Sequence, residues 1–136
     1  MSIVLDASVT IAWYFEDEHN AGTDAVLDRI IADGALVPSL WKIEVANGLQ
    51  MALRRKRIDR PYRDQALKQL EALPIETDPE TALHAWSAGI GLADQYGLTL
   101  YDAVYLELAI RRQLPLATLD KALGEAGRQA GLPPLR

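Results

Sequence analysis

The chain has 136 residues, with 49% hydrophobic and 24% charged positions and a formal net charge of −5. That length suits one domain, expected to span 1–136 and to bury roughly 70% of the surface its unfolded form exposes, and the composition excludes a disordered chain. The lack of cysteine excludes disulfide frameworks, thiolate zinc sites and cysteine nucleophiles.

Ser2-Ile3-Val4-Leu5 is a short apolar run rich in β-branched residues and predicts a buried strand, with Asp6-Ala7-Ser8 turning into a helix from about Val9. No basic segment precedes this run and no small-residue cleavage site follows it, so it is not expected to act as a secretory signal. No stretch approaches the ~20 apolar residues of a membrane span; a cytoplasmic protein with no membrane partner is expected. A helix from about Asn20 carries Ala25, Val26, Ile30 and Ile31 at helical spacing and ends at Gly34. Strand Ala35-Leu36-Val37 follows. Ser39 is the expected cap of a helix to about Arg57, and Asp59 with Pro61 opens another to about Leu73.

Pro74-Ile75-Glu76-Thr77 is a weaker strand, and Asp78-Pro79 starts a helix that ends at Gly97. Thr99-Leu100-Tyr101-Asp102 resembles a capping box opening a helix to about Arg112. Leu116-Ala117-Thr118 is the last clear strand, after which Asp120 can cap a helix. The tail from Gly131 to Arg136 is a poor edge strand because of its two prolines. Strands alternating with helices predict an α/β fold, a mostly parallel sheet with helices on both faces.

Four acids stand out. Asp102 lies in the first turn of a segment, Leu98 to Ile110, that is apolar almost all round and therefore reads as a buried central helix. An isolated buried carboxylate costs several kcal/mol unless a partner or a metal compensates it; the alternative is that Asp102 serves only the exposed helix end. Glu44 is flanked by Trp41, Ile43, Val45, Ala46 and Leu49 with no basic residue three or four positions away. It either occupies a narrow solvated stripe or faces a site together with Asn47. Asp6 and Asp120 each follow a strand, near the carboxyl edge where open α/β sheets bind ligands, although each can equally be a helix cap.

Four carboxylates brought together raise one another's proton affinity, so at neutral pH they persist only with a cation among them. Ligation by oxygen alone selects a hard ion, Mg²⁺ or Mn²⁺, and such an ion promotes phosphodiester cleavage. Other chemistries fit less well. His19 and His84 are isolated, Ser8 lacks a nucleophile elbow, and no glycine-rich phosphate loop occurs. An aspartyl-phosphate enzyme built on Asp6 would need a second acid where Ser8 stands. The acidic total argues against binding nucleic acid by a general positive field. However, Arg54, Arg55, Lys56, Arg57, Arg60 and Arg63 form a local basic cluster, either an RNA-phosphate contact or a solvated helix face.

Ile3-Val4-Leu5-Asp6-Ala7-Ser8-Val9, Pro38 with Glu44-Val45-Ala46-Asn47, Leu100-Tyr101-Asp102-Ala103-Val104-Tyr105 and Leu116-Ala117-Thr118-Leu119-Asp120-Lys121-Ala122-Leu123 together resemble the PIN-domain family, in particular its VapC-type toxins. The pieces come in the family's order and extend from residue 3 to 123. The resemblance implies a three-layer α/β/α fold and a Mg²⁺-dependent endoribonuclease whose metal-binding acids are Asp6, Glu44, Asp102 and Asp120, supported by Ser8, Asn47 and Thr118. It also implies an RNA substrate, a cognate antitoxin whose tail blocks the acidic pocket, often with an arginine, and a homodimer. Trp13, Tyr14, Trp41 and Trp86 are candidate contacts for such partners, with core packing the stronger expectation for Trp41 and Trp86. The alternative function is a catalytically silent PIN fold that binds RNA or a protein.

Overall fold

Ile3, Val4 and Leu5 are fully buried, which is why three consecutive apolar residues suffice for strand β1 (Ile3–Leu5): the strand is central and covered on both faces. The computed structural model describes residues 2–135. Strand β2 (Ala35–Val37) pairs with β1 through Ile3 opposite Ala35 and Val4 opposite Leu36. Strand β3 (Ile75–Thr77) lies outside β2, and β4 (Leu116–Ala117) pairs with β1 on its other side. The order is β3-β2-β1-β4 and every pair is parallel. The weak pattern of β3 has a cause in this order, since an edge strand with Glu76 and Thr77 exposed has little to bury.

The helices flank this sheet as the alternation predicts, but several boundaries move. Helix α1 (Ala7–Ala12) starts at once after Asp6, whose backbone occupies the N-cap position in an extended conformation while its side chain makes no capping bond. Helix α2 (Ala21–Asp33) is capped by Asn20, which exchanges hydrogen bonds with Thr23, and it ends at Gly34. Gly34 has φ 83°, where a Cβ would also stand 3.1 Å from the Pro74 carbonyl oxygen. Helix α3 (Trp41–Arg54) is not capped by Ser39: Leu40 holds the N-cap position, and the Ser39 amide donates to the Thr81 hydroxyl instead. It stops at Arg54, short of Arg57. Asp59 caps helix α4 (Arg60–Glu71) through the Tyr62 amide, as expected.

The single helix expected from Asp78 to Gly97 is three segments: α5 (Thr81–His84), a π-helical turn over Ala85–Gly89, and α6 (Ile90–Tyr96). Asp78 lies ahead of α5, whose N-cap position is held by Glu80; its carboxylate accepts from the Glu80 amide and the Thr81 hydroxyl and also pairs with Arg111. Leu83, Trp86 and Ile90 share one uncovered side of this run, and Trp86 is 88% exposed. Core packing therefore holds for Trp41, which is 3% exposed, and fails for Trp86.

Helix α7 (Leu100–Arg112) packs on β1 and β4 and touches α5, α6 and α8 (Lys121–Gln129). Its residues from Ala103 to Ala109 are all buried, as a central helix requires. It is not apolar all round, however: Tyr101 is exposed, and the buried stretch includes the charged Glu107. The tail over 131–135 forms no strand, in line with its prolines, and Arg136 lies outside the described residues.

Candidate active site

Asp6 leaves the central strand with its amide bonded to the Ala117 carbonyl at 3.0 Å. This places its carboxylate at the carboxyl edge of the sheet, between β1 and β4. Its Oδ2 accepts two hydrogen bonds of 2.7 Å, one from the Ser8 hydroxyl and one from the Thr118 hydroxyl. Each hydroxyl is in turn an acceptor, Ser8 Oγ from the Leu119 amide and Thr118 Oγ1 from the Asp120 amide, both at 3.0 Å. With the acceptor sides taken, both hydroxyl protons point at Asp6. Asp6 is 5% exposed, and among the described residues its carboxylate is compensated by neutral donors alone.

Glu44 approaches from the first turn of α3. Tyr105, fully buried in α7, donates its phenol to Glu44 Oε1 at 2.5 Å. Burial, then the neighbouring Glu44, pushes the Tyr105 phenol far above its ordinary range, so it remains a donor at any physiological pH. Asp102 stands in the first turn of α7, its amide bonded to the Thr99 hydroxyl. Asp120 caps α8 by accepting from the Leu123 amide at 2.9 Å. The two readings of Asp120, cap and site acid, are compatible, since capping engages Oδ2 while the residue lines the site.

All four acids line one concavity of about 320 Å³, together with Ser8 and Asn47. Thr118 lies behind it and acts on Asp6. Gly48 leaves room for Ile11, which also lines the concavity: a Cβ at position 48 would stand 2.4 Å from Ile11 Cδ1, and the Ile11 side chain would have to turn. No lysine or arginine lines the concavity among the described residues. The electrostatic consequence is a raised proton affinity. Glu44 is pushed above the usual carboxylate range first by burial and then by Asp6 and Asp102, against the Tyr105 hydrogen bond. Asp102 is pushed up by burial, then by Asp120 and Asp6, with the Thr99 hydrogen bond opposing.

The chemistry of this donor set fits a hard divalent cation: oxygen ligands only, formal charge to spare, and no internal counter-ion. As the side chains stand, no three of them form a ready cage among the described residues, so a cation would have to draw them together by rotamer changes. Tyr105 is the residue the sequence reading missed. The signal was present in two places, a Glu44 with no basic partner and a tyrosine three positions after Asp102 on the same helix face.

A family model described as PIN domain matches residues 3–129. The chain belongs to the PIN-domain family. This PIN domain is 30% identical over 129 residues to Ribonuclease VapC3 of Pyrobaculum aerophilum, an alignment covering 92% of this chain and 94% of that protein. It also superposes on the crystal structure of PAE2754 from Pyrobaculum aerophilum with a TM-score of 0.68 at 25% identity, over 93% of this chain and 84% of that one. The fold and the recognised pieces thus extend over nearly the whole PIN domain, and the sheet edge that carries Asp6 and Asp120 lies inside the matched range.

Proposed function

We propose that this PIN domain is a metal-dependent endoribonuclease of the VapC type, the toxin of a toxin–antitoxin pair, with Asp6, Glu44, Asp102 and Asp120 as its metal-holding acids. The observation that carries the reading is the concavity where four carboxylates converge without one basic side chain. The VapC3 relative supplies the class of activity. Mg²⁺, or Mn²⁺ in its place, would provide a nucleophile from water at neutral pH and neutralise charge on the phosphate. The protein's part is positional. Ser8 and Thr118 fix one oxygen of Asp6 and leave the other for the site. Tyr105 holds Glu44, and the cap bond from Leu123 fixes Asp120 at the rim.

The same site would accept a guanidinium from an antitoxin tail, since a cation of that shape satisfies paired carboxylates. The uncovered side formed by Leu83, Trp86 and Ile90 supports a homodimer; sedimentation of wild type should give a dimer and of Trp86→Glu a monomer. No helix among the described residues is long and apolar enough to cross a membrane, in keeping with a cytoplasmic enzyme.

The test is cleavage of mixed RNA with Mg²⁺ or Mn²⁺ by wild type, Asp6→Ala and Asp102→Asn. Wild type should cut and both variants should lose at least about a hundredfold in rate. Equal activity in all three would remove the site, and inactivity of well-folded wild type would leave the silent binding module as the reading.

A further inference from the structure

The turn between α3 and α4 carries cations with no counter-ions. Arg54, Arg55, Lys56 and Arg60 are exposed, and none has an ion-pair partner among the described residues. Most acids nearby are engaged elsewhere, and Glu16, which lines the adjoining cleft, pairs with none of the four. Asp17 and Glu18 both bind Arg57, at 2.9 and 3.1 Å. Asp64 binds Arg63, and Asp59 is the cap of α4. In a chain whose formal charge is −5, four clustered and uncompensated cations repel one another unless an external anion joins them. Lys56 adds a second peculiarity. Its φ of 61° is in the left-handed region that glycine adopts at least cost, yet a lysine stands there.

The cluster is aligned with the acidic site. Glu44, Gly48 and Met51 succeed one another at helical spacing along one line of α3, and Arg55 continues it from the C-cap position. The first two line the acidic concavity, and eleven positions of helix separate Glu44 from Arg55 by about 16 Å. That is a span of a few nucleotides. Beside the turn lies a wider cleft of about 880 Å³ whose lining includes Lys56, Arg60, Tyr14 and Tyr62 together with the acids Glu16, Asp17 and Asp59, so the phosphate contacts fall on its cationic rim. Tyr62 is 44% exposed, and its orientation is fixed by an edge contact with Tyr14 and a 2.6 Å hydrogen bond to the Tyr14 carbonyl. Cations next to a held aromatic face are the combination that binds single-stranded nucleic acid, phosphates on the former and a base on the latter.

We propose that Arg54, Arg55, Lys56 and Arg60 form a second substrate subsite, which grips the phosphate backbone of the RNA a few nucleotides from the bond cut at the acidic site. The proposal rests on the ribonuclease reading for its substrate and adds the place where that substrate is held. Arg57 is excluded from the grip, because its guanidinium lies 4.3 Å over the Phe15 ring and is neutralised by two acids.

The experiment measures binding of a fluorescent single-stranded RNA over a range of salt concentrations. It compares Asp102→Asn with the same protein also carrying Arg54→Ala, Arg55→Ala and Lys56→Ala, so that cleavage does not interfere. Three lost phosphate contacts should reduce the slope of log affinity against log salt by about 2 and weaken binding roughly tenfold or more at physiological salt. Unchanged thermal midpoints would show that the exposed substitutions left the fold intact. An unchanged slope overturns the subsite, as does a triple variant that binds RNA normally and instead loses a purified antitoxin. The ribonuclease reading is judged separately by wild-type cleavage: cleavage with an unchanged slope removes the subsite alone, and a changed slope without cleavage removes the enzyme alone.

Discussion

Helix α7 carries members of two acid clusters that meet the same cost in opposite ways. Toward its end Arg111 joins Glu107, at 2.8 and 3.0 Å, and Asp78, at 3.2 and 2.7 Å, with the Thr81 hydroxyl on Asp78 at 2.9 Å. Asp78 and Glu107 are 1% and 5% exposed, and one guanidinium fork compensates both. Its hydrogen bond is the main influence that holds Asp78 below the usual carboxylate range despite burial. At the start of α7 the acids Asp6, Glu44, Asp102 and Asp120 meet no cation among the described residues, only hydroxyls, amides and one phenol. Burial alone therefore does not mark a functional carboxylate. The mark is a convergence of buried and half-buried carboxylates whose compensation the protein leaves incomplete.

The contrast can be broken most forcefully from the compensated side. Arg111→Ala leaves two buried carboxylates without their cation and should cost about 3–5 kcal/mol of stability, visible as a fall of roughly ten degrees in Tm. A loss below 1 kcal/mol would mean that the fork is decoration.

A smaller effect is expected where a neutral group does the holding. Tyr105→Phe removes the donor on Glu44 and keeps the ring that fills the core. A hydrogen bond to a charged group contributes about 1.5–3 kcal/mol, so RNA cleavage should fall by roughly ten- to a hundredfold. Tm should fall by only a few degrees with the lost bond, so assays run well below it separate this loss from unfolding. Full activity would show that Glu44 needs no help from Tyr105.

The smallest effect is in the pH dependence of stability, measured in chelator, where the clusters should pull in opposite directions. The depressed Asp78 contributes stability that is fully present above its ordinary value of 3.8 and is lost as pH falls through its lower folded value. Glu44 and Asp102 are raised, so the folded state holds their protons more tightly than the unfolded chain. They cost stability at neutral pH, and that cost is recovered as pH falls through their raised values toward 4.5 and 3.8. Asp102→Asn should therefore gain less than about 1 kcal/mol at neutral pH, with little gain near pH 4. A loss at neutral pH would contradict the repulsion.

Much of this was legible from residues alone. Asp6 and Asp120 were found because apolar strands end at them, and Asp102 because it begins a helix with hardly any polar face. The same reasoning passed over Glu107, four positions before Arg111 in that very helix, and took Asp78 for a helix start, because a sequence does not show that the residue after β3 meets Arg111 of α7. The break of the 78–97 run into α5, a π turn and α6 was equally hidden, since Leu83, Trp86 and Ile90 have the spacing of a buried face and lie on an uncovered one. Local rules see neighbours along the chain; the hydroxyl pair on Asp6 joins positions 8 and 118, and the phenol on Glu44 comes from 61 residues away.

Titration of Mn²⁺ into wild type and Asp102→Asn, followed by calorimetry, bears on the incompletely compensated cluster most directly. Wild type should bind the ion, and the variant, which loses a charge at the place where repulsion is stored, should bind at least about tenfold more weakly. Arg111 and its two acids should take no part, because their charges are already met. Equal affinity in the two proteins would contradict the assignment of Asp6, Glu44, Asp102 and Asp120 as a cation site.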